Sequence, residues 1–405
     1  MKVLQISYKV PFPLTDGGAV SVYHCSLGLL SNGAGLTVLA ADQATSPGDL
    51  AKAPENWLQA TSFTSVPVDN RVKTAGALIN LFTGRSYFSA RFYSSALDRT
   101  ISEMLQQQEY DIIQLEHLYL CEYLPVIRKH SSARVILRAQ NIEHRIWARY
   151  LTSVRNPLAK WYLKIQTRRL EAFERKSAGL VDGIIALSEQ DLEWFKSSCP
   201  GIPVRAIPIG MDIPDNENSV SLSPGNEVPV FYHLGSMDWR PNDEGLRWFI
   251  REILPAITRN YPEFRMRMAG KKMPPWYFQQ QSAHLGIDGQ IEDAAAYQSD
   301  KDVLIVPLLS GSGIRVKILE AMALGKAVIS TSRGAEGLPV KHRHDILIAD
   351  TPEEFVRCAG ECISTPSLCK TLGNEARETV RKHFGIPATG EAMKAFYVSL
   401  CPESK

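Results

Sequence analysis

Arg315, Lys317 and Glu320 stand close together just after a Gly-Ser-Gly turn, in the stretch Pro307-Leu-Leu-Ser-Gly-Ser-Gly-Ile-Arg-Val-Lys-Ile-Leu-Glu320. Gly311, Ser312 and Gly313 leave backbone N–H groups able to face a ligand, and a helix beginning there favours an anion at its N-terminus. Arg315 and Lys317 add full positive charge, and Glu320 can accept two hydrogen bonds from a vicinal diol. Diphosphate plus ribose is the ligand that fits, which points to a nucleotide-sugar site. The same residues could also form a solvated helix face, with Glu320 one more exposed acid. Context favours the first reading. An apolar run, Asp302–Val306, precedes the turn, and Gly325 and a second apolar run, Ala327–Thr331, follow the helix. That is a βαβ unit with its loop at the carboxyl end of a strand, where open α/β sheets bind ligands.

Such a unit needs a sheet around it, and the chain supplies the pattern. Short apolar strands alternate with amphipathic helices throughout, the signature of α/β architecture with parallel sheets. Val3–Ser7, Leu36–Ala41, Ile112–Leu115, Arg134–Arg138, Gly183–Leu187 and Val204–Ile207 read as strands of a first half. Thr15-Asp-Gly-Gly18 opens a helix, and Gly17 and Gly18 let the backbone approach a diphosphate or sugar closely. A plain strand-to-helix turn explains them equally well. Gly33-Ala-Gly35 follows a helix and reads as its C-cap, so no GxGxxG dinucleotide fingerprint is present. Residues 211–228, rich in Pro, Ser and Asn, suit a linker. The pattern restarts at Val230–Leu234, with a helix over about 243–259 and strands at Arg265–Ala269, Ile287–Ile291, Val303–Pro307 and Ala327–Thr331. Helices near 352–364 and 366–383 follow. Residues 1–210, joined by a C-terminal helix at about 387–405, are expected to form one Rossmann-like domain and residues 229–386 a second. The two would face each other across a cleft.

Composition removes several classes. The chain has 405 residues, 44% of them hydrophobic, enough for two cores, and its net charge of +2 gives no sign of nucleic-acid binding. Its seven cysteines are scattered, and the spacing of Cys358 and Cys362 lacks the further ligands of a zinc site. No segment reaches the roughly 18–20 apolar residues that span a bilayer, and the N-terminal strand is too short for a signal-peptide core. A cytoplasmic protein with reduced thiols is expected. From Arg149 to Lys176 basic residues interleave with Trp161, Tyr162, Leu163, Ile165, Leu170 and Phe173, and Arg71–Tyr93 has a similar mixture. Either stretch could pack a core and show water a basic face, or lie on an anionic inner-membrane surface.

In sequence order the chain carries Asp16-Gly-Gly-Ala, Asp111-Ile-Ile-Gln-Leu-Glu-His117, Ala139-Gln-Asn-Ile-Glu-His144 and Val181-Asp-Gly-Ile-Ile-Ala-Leu-Ser-Glu189. Ile207-Pro-Ile-Gly-Met-Asp212, Leu234-Gly-Ser-Met-Asp-Trp-Arg-Pro-Asn242, the stretch first described and Ser332-Arg-Gly-Ala-Glu-Gly337 complete the set. Together they resemble the retaining glycosyltransferases of family 4, with the GT-B fold. The resemblance implies that Glu320, matching the second acid of a Glu-x7-Glu motif, holds the donor ribose. Ser312 replaces the first acid, and Ser236 stands where the family has Arg after Gly235. Arg315, Lys317 and Arg240 would then meet the diphosphate. His117 would lie near the transferring sugar, and Asn141, Glu143 and His144 near sugar or acceptor. The implied reaction retains anomeric configuration and moves a sugar from a nucleotide donor, UDP-sugar first and GDP-sugar second, to a saccharide or lipid-linked acceptor. No cofactor is implied, and the want of an Asp-x-Asp motif argues for no metal. A nucleotide-sugar-binding protein without catalysis, or an epimerase or phosphorylase on the same fold, remain the alternatives.

Overall fold

The computed structural model describes residues 1–14, 17–154, 156–213, 228–311 and 314–401. They form two compact units, Met1–Gly210 with the segment from Ile386 onward, and Met211–Gly385. Each unit is a parallel sheet flanked by helices, a mixed α/β architecture.

In the first unit the strands are β1 (Lys2–Ser7), β2 (Gly35–Gln43), β3 (Thr61–Val68), β4 (Ile112–Leu115), β5 (Arg134–Ala139), β6 (Gly183–Ala186) and β7 (Val204–Ala206). They lie in the order β3-β2-β1-β4-β5-β6-β7, all parallel, with Val3 paired to both Leu36 and Ile112. The order reverses between β1 and β4. Central strands buried on both faces require apolar side chains throughout, and Ile112, Ile113 and Leu115 of β4 are wholly buried, each such side chain stabilising by about 1.5–3 kcal/mol.

The C-terminal helix Ile386–Leu400 packs on the helix Gly17–Ser31. Glycines set that approach: a Cβ on Gly390 would lie 2.0 Å from the Gly28 carbonyl oxygen. Beneath the same helix pair, Arg138 and Glu116 form a buried ion pair at 2.8 Å. Gln5 donates to Glu116 at 2.7 Å, the Arg138 guanidinium donates to Ser21 Oγ at 2.9 Å, and Tyr397 of the C-terminal helix bonds Gln114. These bonds offset much of the cost of burying the pair, although the Arg138 Nε has no hydrogen-bond partner among the described residues.

The second unit contains β8 (Val230–Leu234), β9 (Arg265–Ala269), β10 (Leu285–Gly289), β11 (Val303–Val306), β12 (Ala327–Ser330) and β13 (Leu347–Ile348). Their order is β10-β9-β8-β11-β12-β13, again parallel, with the reversal between β8 and β11.

Several details differ from expectation, the short edge strand β13 among them. The edge strand β3 was not anticipated; it pairs on one side only, its side chains are mostly not buried, and Pro67 is accommodated because an edge needs no second ladder. The basic stretch 149–176 is divided between two helices. Glu143–Ser153 ends, and Pro157–Ala178 starts afresh with the Asn156 side chain accepting from the N–H groups of Leu158 and Ala159. The helix expected over 243–259 is Arg240–Trp248, a π-turn at Phe249–Ile253 and Leu254–Asn260. Pro255, which lacks an N–H, interrupts the regular ladder there. The strand expected at 287–291 ends at Gly289, whose φ of +72° turns the chain. Most of the expected linker, 214–227, lies outside the described residues, and Met211 joins the second unit by donating to the Phe384 carbonyl. Among the described residues no helix is long and apolar enough to cross a membrane.

Candidate functional site

The β8/β11 reversal gathers Gly235 and Trp239 after β8 with Gly311 and Arg315 after β11. The helix Val316–Ala323 starts there with Arg315 at its N-cap, no side-chain cap and no acid in its first turn. By contrast, the helix Pro352–Ser364 carries a Thr351/Glu354 capping box and acids at Glu353 and Glu354. Cations at the positive end of a helix oppose its dipole unless an anion joins them. The helix Arg240–Trp248, which begins with Arg240, also lacks a side-chain cap.

These two helix starts adjoin. The Arg315 guanidinium lies 5.3 Å over the Trp239 ring. Gly311 fits between them: its φ is +106°, and a Cβ would stand 3.1 Å from Trp239, 3.2 Å from Arg315 and 3.3 Å from Pro241. No other residue type meets both conditions.

Lys317 is held from below. Its Nζ donates to Asn242 Oδ1 at 2.9 Å and to His233 Nε2 at 3.3 Å. His233 is wholly buried and gives its Nδ1 hydrogen to the Ile305 carbonyl at 2.8 Å, which leaves Nε2 as an acceptor. Burial, then Lys317, hold the imidazole well below its ordinary pKa, so it is neutral. Asn242 is fixed in turn by donating to the Ser236 carbonyl at 2.8 Å. A Cβ on Gly235 would lie 2.4 Å from Lys317 Nζ, so the ammonium needs that glycine.

With neutral partners, the ammonium is poorly compensated. Burial, aided by Arg315 and opposed by Glu320, brings its pKa down to about 7. Burial also raises the Glu320 carboxyl against the pull of Lys317. Glu320 is half-buried and receives no side-chain hydrogen bond from the described residues. Cation, helix N-termini and acceptor carboxylate together can take a phosphate and a hydroxyl donor.

In the first unit, Tyr8 after β1, His117 after β4 and Glu143 after β5 meet at adjacent strand ends. His117 is buried between Tyr8 and Tyr119, with ring centroids at 4.5 and 4.4 Å. Its Nδ1 accepts from the Tyr119 N–H at 3.3 Å, so Nε2 carries the hydrogen that faces Glu143 Oε1 at 3.3 Å. Tyr119 donates its hydroxyl to the other Glu143 oxygen at 2.8 Å. Burial pushes the Glu143 carboxyl up, but His117 and Tyr119 outweigh it and leave the pKa below its ordinary value. Glu174 anchors the start of the next helix, accepting from the Glu143 N–H at 2.9 Å and from His144 Nδ1 at 2.6 Å.

Of the residues named from sequence, Arg315, Lys317 and Glu320 are brought together, with Gly311 and Arg240 beside them. Lys317 is not on an open helix face, because Asn242 and His233 draw it inward. His117 and Glu143 form a couple. His144 turns into the protein against Glu174 and Trp194. Asn141 is exposed. Gly17 starts its helix, and a Cβ there would meet nothing within 4 Å, so packing does not explain the glycine. Asp16, Ser312 and Gly313 lie outside the described residues. His233, Asn242 and Trp239 were missed as site residues. A histidine inside the apolar strand Val230–Leu234 was the available signal.

Residues 228–365 match the family model described as "Glycosyl transferases group 1". An uncharacterized 44.6 kDa protein in the cps region of Klebsiella pneumoniae is 26% identical over 133 residues, 31% of this chain and 34% of that protein. An uncharacterized glycosyltransferase of Methanocaldococcus jannaschii is 27% identical over 111 residues, 27% of this chain and 28% of its own. The chain thus spans about a third of the length of these relatives. Among solved structures, sucrose-phosphate synthase from Thermosynechococcus elongatus superposes with a TM-score of 0.66 at 15% identity, covering 99% of both chains. Anabaena HepE in complex with UDP gives 0.62 at 14% identity, covering 98% of this chain and 100% of the other. The fold is therefore that of the GT-B glycosyltransferases, two Rossmann-like domains. Over residues 228–365 the resemblance is to the group 1 glycosyl transferase family.

Proposed function

We propose that this chain is a retaining glycosyltransferase that takes a sugar from a nucleoside diphosphate donor and passes it to a saccharide or lipid-linked acceptor. One observation carries the reading. Glu320, a half-buried carboxylate that no described residue satisfies, stands one turn from Lys317, a half-buried lysine with neutral partners. A ribose diol and a diphosphate supply what each lacks. The group 1 match covers this segment, and a structural neighbour carries UDP; UDP-sugar is the first donor to test and GDP-sugar the second.

In this reading the diphosphate lies at the two adjoining helix starts, with Lys317 and Arg315 against its oxygens and Arg240 at the edge. Negative charge on that group grows as the sugar departs. Cations and helix dipoles fixed in advance therefore stabilise the transition state more than the ground state. The acceptor hydroxyl gives its proton to the leaving phosphate on the same face, so no enzyme nucleophile is required. His117, its Nε2–H directed by Glu143, belongs to the sugar side. A cell-surface polysaccharide or glycoconjugate is the corresponding product class.

The experiment is a panel of nucleotide sugars, with and without candidate acceptors, in the presence of chelator. Nucleoside diphosphate released only when acceptor is present supports transfer, and full turnover in chelator supports independence from metal. Tight nucleotide binding with no release under any condition would favour a binding protein instead.

A further inference from the structure

The helix Pro157–Ala178 buries Gln166, Leu170, Glu174 and Ser177 on one side. On the other, Leu158, Trp161, Lys164 and Arg168 recur every three or four residues and so form one stripe, and all four are exposed. Leu158 is 78% and Trp161 58% accessible. Segment 71–87 is tied alongside this helix. Gln166 accepts from the Tyr87 N–H at 2.7 Å and donates to Asn80 at 3.0 Å, and Arg169 donates to the Leu81 carbonyl at 2.7 Å. Those bonds fix Val72, Ile79 and Phe82 in place, and Phe82 is 93% accessible.

Large apolar side chains exposed singly are ordinary; several on two adjoining elements mark an interaction surface. Cations are interleaved with these. Lys160, Lys164 and Arg168 have no ion-pair partner among the described residues. One turn further, a cavity of about 690 Å³ is lined by Arg169, Lys176, Leu124, Pro125 and Phe173, with the ion pair Arg85–Glu122 at its wall.

We propose that this face of the first unit docks on an anionic phospholipid bilayer. Phe82, Trp161, Ile79 and Leu158 enter the interface, and Lys160, Lys164 and Arg168 meet the headgroups. Aliphatic side chains next to unpaired cations suit lipid rather than nucleic acid. A second copy of this chain would oppose like charges. The inference stands apart from the transferase reading, because vesicle binding needs neither donor nor acceptor.

The test is co-sedimentation of the full chain with phosphatidylcholine vesicles, with and without phosphatidylglycerol, at low and high salt. Binding should require the anionic lipid and fall with salt. Phe82→Ser with Trp161→Ser, and separately Lys160→Gln with Lys164→Gln and Arg168→Gln, should each weaken it roughly tenfold or more without changing the melting temperature. Brominated lipid should quench emission from the wild-type chain more than from Trp161→Phe. No binding to anionic vesicles at low salt would overturn the proposal, as would undiminished binding by both variant sets. Self-association in solution that the Phe82/Trp161 variant abolishes, without vesicle binding, would assign the face to a second copy instead.

Discussion

The two units reverse strand order in the same way and place polar residues at the same point, yet the two points differ in electrostatic condition. At β1/β4 each of these titratable side chains has a fitting counterpart: His117 has Glu143, Glu143 has Tyr119, His144 has Glu174, and below them Glu116 has Arg138. At β8/β11 the Lys317 ammonium has an amide oxygen and a neutral imidazole, and Glu320 has no hydrogen-bond donor among the described residues. One sheet is closed on itself. The other carries groups that no described residue satisfies, which is the basis for proposing the donor site in the second unit. Strained electrostatics of this kind is expected at functional positions, where stability is given up for binding.

The largest effect that sharpens the contrast is on the closed side. Glu116→Ala leaves Arg138 buried without its counter-charge and should destabilise the chain by about 3–5 kcal/mol, read from urea unfolding. On the open side the same kind of change should do the opposite. Lys317→Met should leave the ligand-free melting temperature unchanged or higher, while weakening nucleotide binding by about 1.5–3 kcal/mol. Glu320→Gln should lose a similar amount of nucleotide affinity, measured by calorimetry. If either substitution lowers stability as Glu116→Ala does, the two points are not different in kind.

A smaller effect is pH dependence. The Lys317 pKa is about 7 in the folded chain and about 10.4 in an unfolded one. Between those values the unfolded state binds more protons, so this group makes stability rise with pH across that window, and its penalty is full below about 7. Thermal melts of wild type against Lys317→Met from pH 6 to about 10 should show the slope in the wild type alone.

The spacing of Arg315, Lys317 and Glu320 after a Gly-rich turn was legible in the sequence because a helix start and its first turns are local. What holds Lys317 was not. His233 and Asn242 sit beside Gly235 on the earlier strand and helix, and only the β8–β11 pairing brings Lys317 to them. His117 and Glu143 were each named, but their bond to one another crosses from β4 to β5 and has no sequence spacing to announce it. β3 escaped because an edge strand with few buried side chains carries little apolar signal. The basic segment was legible as a mixture only; which apolar residues face the core, such as Leu170, and which face water, such as Trp161, is set by the helix restarting at Pro157.

The account turns on whether an anion completes the β8/β11 site. Titration of nucleoside diphosphates, UDP first and then GDP, into the chain at pH 8 in buffers of differing ionisation enthalpy tests it most directly. Binding should take up protons as Lys317 becomes charged against the diphosphate, and Lys317→Met should abolish the uptake. Binding with no proton uptake, or uptake that survives in Lys317→Met, would contradict it.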